Sequence, residues 1–453
     1  MSGRIGMAGL LVFALTACGG GGTAGATPGT RAAAPPATPA SPAASPTATA
    51  PAGEDTPAST SEASAPSRVP AASGDVRRVL ARMSAEEKVG QLFMPVLYGT
   101  AAGTVSGENQ ARYGAQTPAK VIARYHLGGV ILFPANIKSV SQVVALTNGL
   151  QAASPRVPLI IGTDQENGLV SRMGALMTTF PGASTVGATR DPARARAVAK
   201  ATGEELRAVG VNLDFAPVAD VNINPDNPVI GRRAYGNEPA KVATMVSAAV
   251  KGFGDAGVAA TAKHFPGHGD TDVDSHTGLP VIKHTRAQWE RIDAPPFRAA
   301  IAAGVDAVMS AHIVFPKLDP SGDPATLSKP ILTGLLREKL GFKGVISTDA
   351  LNMEGVRKKY GDGEVAVRAV LAGADLLLMP NDLPKAYDAV LSAVKSGRIS
   401  RARLDQSVTR LLTLRQARGF LRAAPRASAA EAAGVLRSAE HRRLAARVAR
   451  EGG

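Results

Sequence analysis

The chain has 453 residues, of which 45% are hydrophobic and 19% charged, a balance that excludes a wholly disordered or collagen-like polymer. A single cysteine, Cys18, excludes a disulfide scaffold and any zinc cluster built on cysteines. The 51 Lys and Arg outnumber the 37 Asp and Glu to give a net charge of +14, yet no nucleic-acid reader motif accompanies that charge, and arginines gather after Arg398 and in the tail (Arg422, Arg426, Arg437, Arg442, Arg443, Arg447, Arg450). That pattern predicts a solvated basic helical face. An anionic membrane surface or cell-wall polymer, not nucleic acid, is the partner expected.

Residues 1–18 read MSGRIGMAGLLVFALTAC: one basic residue, an apolar stretch from Met7 to Leu15 too short to span a bilayer, and small residues before Cys18. This is a secretion signal, and Leu15-Thr16-Ala17-Cys18 resembles a bacterial lipobox, which implies diacylation of Cys18 and a lipid anchor on the extracytoplasmic face. Residues 19–73 carry almost no large apolar side chain and are rich in Ala, Pro, Thr and Ser, so they read as a disordered tether.

Folding is expected from residue 74 to 421. Ser84-Ala-Glu-Glu87 forms a capping box that opens a helix. From there one unit recurs: a helical stretch ending near Gly, a short run of Val, Ile, Leu and Ala, then a polar cluster. Eight such runs occur, at 89–97, 127–136, 157–167, 209–222, 256–267, 303–313, 343–351 and 373–382. Short apolar strands separated by helices predict a parallel sheet, and eight of them predict an α/β fold of the (β/α)8 TIM-barrel type. An open doubly wound sheet is the alternative, but no GxGxxG follows a first strand. In such a barrel the polar residues just past each strand gather on one face, here Asp164, Asp214, Lys263, His264, His312 and Asp349.

The densest polar segment is KHFPGHGDTDVDSHTGLP, residues 263–280. His264 and His268 stand four apart, but Pro266 and Gly267 between them argue against the helix that a zinc pair at that spacing needs, so no metal is expected. Asp274 and His276 are two apart in a stretch expected to be extended, which places both side chains on one side. A carboxylate on one ring nitrogen leaves the other free to give or take a proton.

This segment resembles the signature of glycoside hydrolase family 3, specifically its β-N-acetylglucosaminidase branch. The similarity runs from about Met83 to Phe420, through MSAEEKVGQLFMP, GTDQENG, LDFAPVADVN and ISTDALNMEGV. The resemblance implies that Asp349 is the nucleophile of a retaining reaction, His276 the acid/base and Asp274 its partner. Asp164, Arg172, Arg233, Lys263 and His264 are implied sugar contacts, and no cofactor is implied. Two features depart from the family pattern. Asn167, Gly168 and Leu169 stand where Gly-Gly-Arg often follows Asp-Gln-Glu, and the chain stops after a basic tail, 422–453, that resembles the connector to the family's second, α/β sandwich domain, which is therefore expected to be absent. The expected activity is exo-hydrolysis of terminal GlcNAc from cell-wall fragments. Phosphorolysis is the near alternative, because a neutral imidazole does not repel a phosphate dianion, and other family 3 β-glycosidase specificities, a non-catalytic sugar-binding lipoprotein and a metal hydrolase are more distant ones.

Overall fold

A computed structural model describes residues 72–275, 278–357, 359–424 and 426–453. Cys18, the signal stretch, nearly all of the tether and His276 lie outside the described residues.

Each of the eight apolar runs contains a parallel strand: β1 (Phe93–Met94), β2 (Gly129–Ile131), β3 (Ile160–Thr163), β6 (Leu213–Asp214), β7 (Ala259–Phe265), β8 (Ala307–Ser310), β9 (Val345–Ser347) and β10 (Leu377–Leu378). Between β3 and β6 a two-stranded antiparallel hairpin, β4 (Gln165–Asn167) and β5 (Val170–Ser171), projects from the sheet; the apolar pattern did not predict it. Pairing is continuous in the order β2-β3-β6-β7-β8-β9, and β1 pairs with β10. Single bridges, Val96 to Ile131 and Ser347 to Leu376, join those two groups, so the sheet curls round on itself. The main strands add in chain order without the reversal that defines a doubly wound sheet.

The strands are short and buried on both faces because helices cover the outside. Local signals set the ends of those helices. Ser84 accepts from Glu87 N at 3.1 Å and Glu87 Oε2 accepts from Ser84 N at 2.8 Å, the expected capping box. Gly257 closes helix Pro239–Ala256 in the left-handed conformation at φ 75°, which only glycine adopts at little cost.

At the end of the sheet where the strands begin, Arg415 is wholly buried and donates to the carbonyls of Pro158, Gly128 and Leu411 at 2.7, 2.6 and 3.0 Å and to Gln91 Oε1 at 3.1 Å. Asp375, before β10, gathers Arg337, Arg403 and Arg410 around one carboxylate. The tail forms helices Ala429–Val435 and Ala439–Gly452. Its face is not wholly solvated: His441, Ala445 and Val448, at helical spacing, are buried against the domain, while Arg442, Arg443, Arg447 and Arg450 stay exposed.

Candidate active site

The strand ends opposite Arg415 carry a linked set of charges. Lys263, in the fully buried strand β7, places Nζ 2.7 Å from Asp164 Oδ1 and 2.8 Å from Glu166 Oε1. Burial alone would neutralise the lysine, but the two carboxylates outweigh it and hold its pKa above the ordinary value. Arg233 grips Glu166 with two parallel bonds of 2.8 Å, so Glu166, although buried, is held well below the usual carboxylate range by Lys263 and Arg233. Glu166 was missed at the level of sequence. The signal was present: it lies two residues beyond Asp164 in extended chain and so shares its face.

His264 Nδ1 lies 2.7 Å from Asp220 Oδ2, which orients the ring and leaves Nε2 toward Arg233 Nη2 at 3.5 Å. The other Asp220 oxygen accepts from the backbone N–H groups of His264 and His268, at 3.1 and 2.8 Å. Asp220 is thus the pin on which the KHFPGH segment turns, and it too was missed; its place in VADVN, just past a strand, was the available clue. The peptides Lys263–His264 and Phe265–Pro266 are cis.

Asp349 follows β9, and its Oδ1 accepts from Ala350 N at 2.7 Å. Burial raises its pKa, yet His312, His264, the Ala350 N–H and Lys263 together lower it further, so the carboxyl sits below its ordinary value and stays ionised. His312 is itself held by Thr326 Oγ1 at 2.9 Å and by the Ala350 carbonyl at 3.0 Å.

The β7 loop returns over the same end. An added methyl at Gly355 would lie 3.0 Å from Ser275 O, 2.6 Å from Gly278 O and 3.6 Å from His312 Cβ, which places the loop against the segment following Asp349. Residues around Asp274 are not extended as expected. Gly278 N–H bonds to the Asp274 carbonyl at 2.9 Å and Val273 N–H to Thr271 Oγ1 at 3.1 Å, because Gly278 and the Thr271 hydroxyl favour turns over a strand. The loop's base is tied down by His284, which contacts Asp293 Oδ2 at 2.6 Å and Asp270 Oδ2 at 2.9 Å and has its pKa raised by them. His268, buried and pushed down to about 4 by burial and by His264, is a neutral ring that meets Ser275 Oγ at 3.1 Å. The nearest ring partners of His264 and His268 are thus an aspartate and a serine.

Arg172 N–H donates to the Asp164 carbonyl at 3.2 Å, and its guanidinium lies 5.2 Å over the Phe133 ring. At the departure from the family pattern, Asn167 Nδ2 donates to Thr202 Oγ1 at 3.0 Å while Leu169 is exposed at the hairpin tip. The structure therefore links Asp164, Lys263, Arg233 and His264, the middle two through Glu166, with Asp349 in the field of Lys263 and His264 and the Arg172 backbone beside Asp164.

The cluster lies at the carboxyl end of a parallel α/β sheet, where such folds carry their active sites, and the family match makes this a glycoside hydrolase domain. Residues 84–414 match the model of the glycosyl hydrolase family 3 N-terminal domain, and the chain belongs to that family. It is 38% identical to beta-hexosaminidase A of Pseudoalteromonas piscicida over 376 residues, 76% of this chain and 62% of that protein. Over 272 residues it is 40% identical to beta-hexosaminidase of Thiobacillus denitrificans, covering 59% of this chain and 74% of the relative. A solved glycoside hydrolase family 3 β-N-acetylglucosaminidase from Paenibacillus sp. str. FPU-7 is similar with a TM-score of 0.75 and 45% identity, over 82% of this chain and 69% of that one.

Proposed function

We propose that the protein is a retaining exo-β-N-acetylglucosaminidase that removes terminal non-reducing GlcNAc from peptidoglycan-derived or related oligosaccharides. The observation that carries this reading is Asp349, a carboxylate held ionised at the end of β9 among His264, His312 and Lys263. The Asp-Ser-His sequence of the β7 loop supports it.

Asp349 attacks the anomeric carbon while the bond to the aglycone oxygen breaks. His276, oriented by Asp274, gives that oxygen its proton, and the electron pair of the broken bond leaves with the aglycone. Water then attacks the glycosyl–aspartate as His276 takes one of its protons, and Asp349 is released as the carboxylate. Two inversions leave the configuration retained. Asp164, Arg172, Arg233, Lys263 and His264 hold the sugar, with Asp164 accepting from hydroxyls and the cations also keeping Asp349 charged.

The whole protein, in this reading, is secreted and anchored by lipid on Cys18. Cys18→Ser should move it from the membrane to the soluble fraction, and unchanged membrane association would remove the anchor from the reading. The activity is tested with an aryl β-GlcNAc glycoside in the presence and absence of phosphate. Release of GlcNAc at a rate independent of phosphate is expected. Formation of the sugar 1-phosphate would replace hydrolysis by phosphorolysis, and no turnover under either condition would leave a binding protein.

A further inference from the structure

The carboxyl-terminal helix lies outside the family-matched region, yet it is bonded to the segment that carries Arg172. The link is Glu205 of helix Pro192–Ala208, a fully buried carboxylate with four donors. From one side come Thr178 N–H at 2.7 Å and Thr178 Oγ1 at 2.6 Å. From the other come Arg437 N–H at 3.0 Å and His441 Nδ1 at 2.7 Å. The second nitrogen of His441 faces Glu204 Oε2 at 3.2 Å, so the ring is held between two carboxylates. Arg437 also reaches the same segment directly, through Nη1 to the Ala175 carbonyl at 3.3 Å, and the His441 ring lies 6.4 Å from that of Phe180.

Residues 172–180 therefore run between two anchors. At the site end, Arg172 and Met173 are bonded through their backbone N–H groups to the Asp164 carbonyl and to Gln165 Oε1, at 3.2 and 3.1 Å. At the far end, Ala175 and Phe180 meet the tail directly, and Thr178 meets it through Glu205. A segment with little regular structure takes its position from such bonds, and a buried carboxylate that loses a donor loses part of its hold on the others.

We propose that Glu205, Arg437 and His441 form a clamp by which the carboxyl-terminal helix positions the Arg172 segment, and with it substrate affinity. The clamp residues are positioning residues that do not touch the sugar. The effect on affinity rests on the reading of Arg172 as a sugar contact.

His441→Ala breaks the clamp. His441→Asn keeps an amide donor near the place of Nδ1, and Thr178→Val removes only the hydroxyl bond at the other end. Glu451→Ala is the control, since it breaks the exposed pair of the same helix with Arg194 and leaves the clamp intact. For His441→Ala, KM for an aryl β-GlcNAc glycoside should rise roughly 5- to 10-fold with kcat within about twofold of the parent. Backbone hydrogen exchange over residues 173–180 should quicken in the same variant. Thr178→Val should move both readouts in the same direction by less, His441→Asn should restore most of each, and Glu451→Ala should change neither. A lower melting temperature in His441→Ala with parental KM and parental exchange over 173–180 would overturn the proposal and reduce the helix to a stabilising cover. Absence of turnover in the parent protein would sink the glycosidase reading alone, because exchange still reports whether the clamp holds the segment.

Discussion

Two aspartates of one sheet, Asp349 after β9 and Asp214 in β6, show how surroundings give one side chain two charge states. Asp349 is partly buried, but four positive or donating neighbours lower its pKa, so it is held as a carboxylate, the form that the proposed attack needs. Asp349→Ala should lower kcat by about a thousandfold or more while the melting temperature stays close to the parent's, because among the described residues the side chain accepts one local bond, from Ala350 N. A 2-fluoro sugar trap that labels another carboxylate would move the nucleophile elsewhere. Asp214 has the opposite fate. Burial pushes it up to about 8, the Gln165 N–H and Lys263 only partly offset this, and Asp164 and Glu166 push it further. Its folded value lies above the ordinary 3.8, so the folded state binds the proton more tightly than the unfolded chain. Stability is then lost as pH rises from the ordinary value to about 8, and the loss levels off beyond that. Asp214→Asn, which keeps an acceptor for Gln165 N, should gain in urea midpoint relative to the parent as pH is raised through that window. A difference that is the same at both ends of the window would show that Asp214 is already ionised.

At the scale of elements, the β7 loop works because its glycines let it pass close under other backbone. An added Cβ on Gly269 would stand 1.7 Å from the Val221 carbonyl oxygen, closer than any real contact, and Val221 follows directly on Asp220, the residue that pins His264. Gly269→Ala should therefore cost upward of about 2 kcal/mol in denaturant unfolding and lower activity even in the folded fraction, since the clash displaces both the loop and the pin. Parental activity in that fraction would show that the loop can shift without disturbing His264. The Glu205 clamp is the corresponding device in the tail: helix Ala439–Gly452 is bound to the domain by buried hydrogen bonds as well as by Ala445 and Val448, so its register on the domain is set residue by residue.

At the scale of the molecule, chemistry and stability occupy opposite ends of the sheet. Arg415 and the Asp375 cluster tie first and last elements together where the strands begin, as Arg415 to Gly128 and Gln91 shows. Burial pushes the Arg415 guanidinium down to about 9, which its four acceptors make tolerable. Arg415→Met takes the donor from the Pro158 carbonyl and Gln91 Oε1, while the Gly128 carbonyl keeps its bond from Ile160 N–H at 3.0 Å, and should cost about 2 kcal/mol or more, seen as a fall in melting temperature, while kcat/KM per folded molecule stays unchanged. A loss of kcat/KM without loss of stability would mean that the two ends are coupled. The net charge of +14 is carried partly by this interior network and partly by the exposed arginines of the last helix, so it does not describe one continuous basic surface.

The positions of the eight strands, the capping box at Ser84 and the cluster of polar strand ends were all legible in the sequence, because each depends on spacings of two to four residues along the chain. The Asp349 and Lys263 positions followed in the same way, as polar residues terminating apolar runs. Partners were not legible. Glu166 meets Lys263 across 97 positions of sequence, and His264 meets Asp220 across 44. His441 meets Glu205 across 236 positions. A buried charge takes whatever opposite charge the packed elements bring to it, and that choice has no local periodicity. The same reason hid the state of Asp214 and the inward face of the tail: desolvation and docking are decided by neighbours distant in sequence, and only the tertiary structure supplies them.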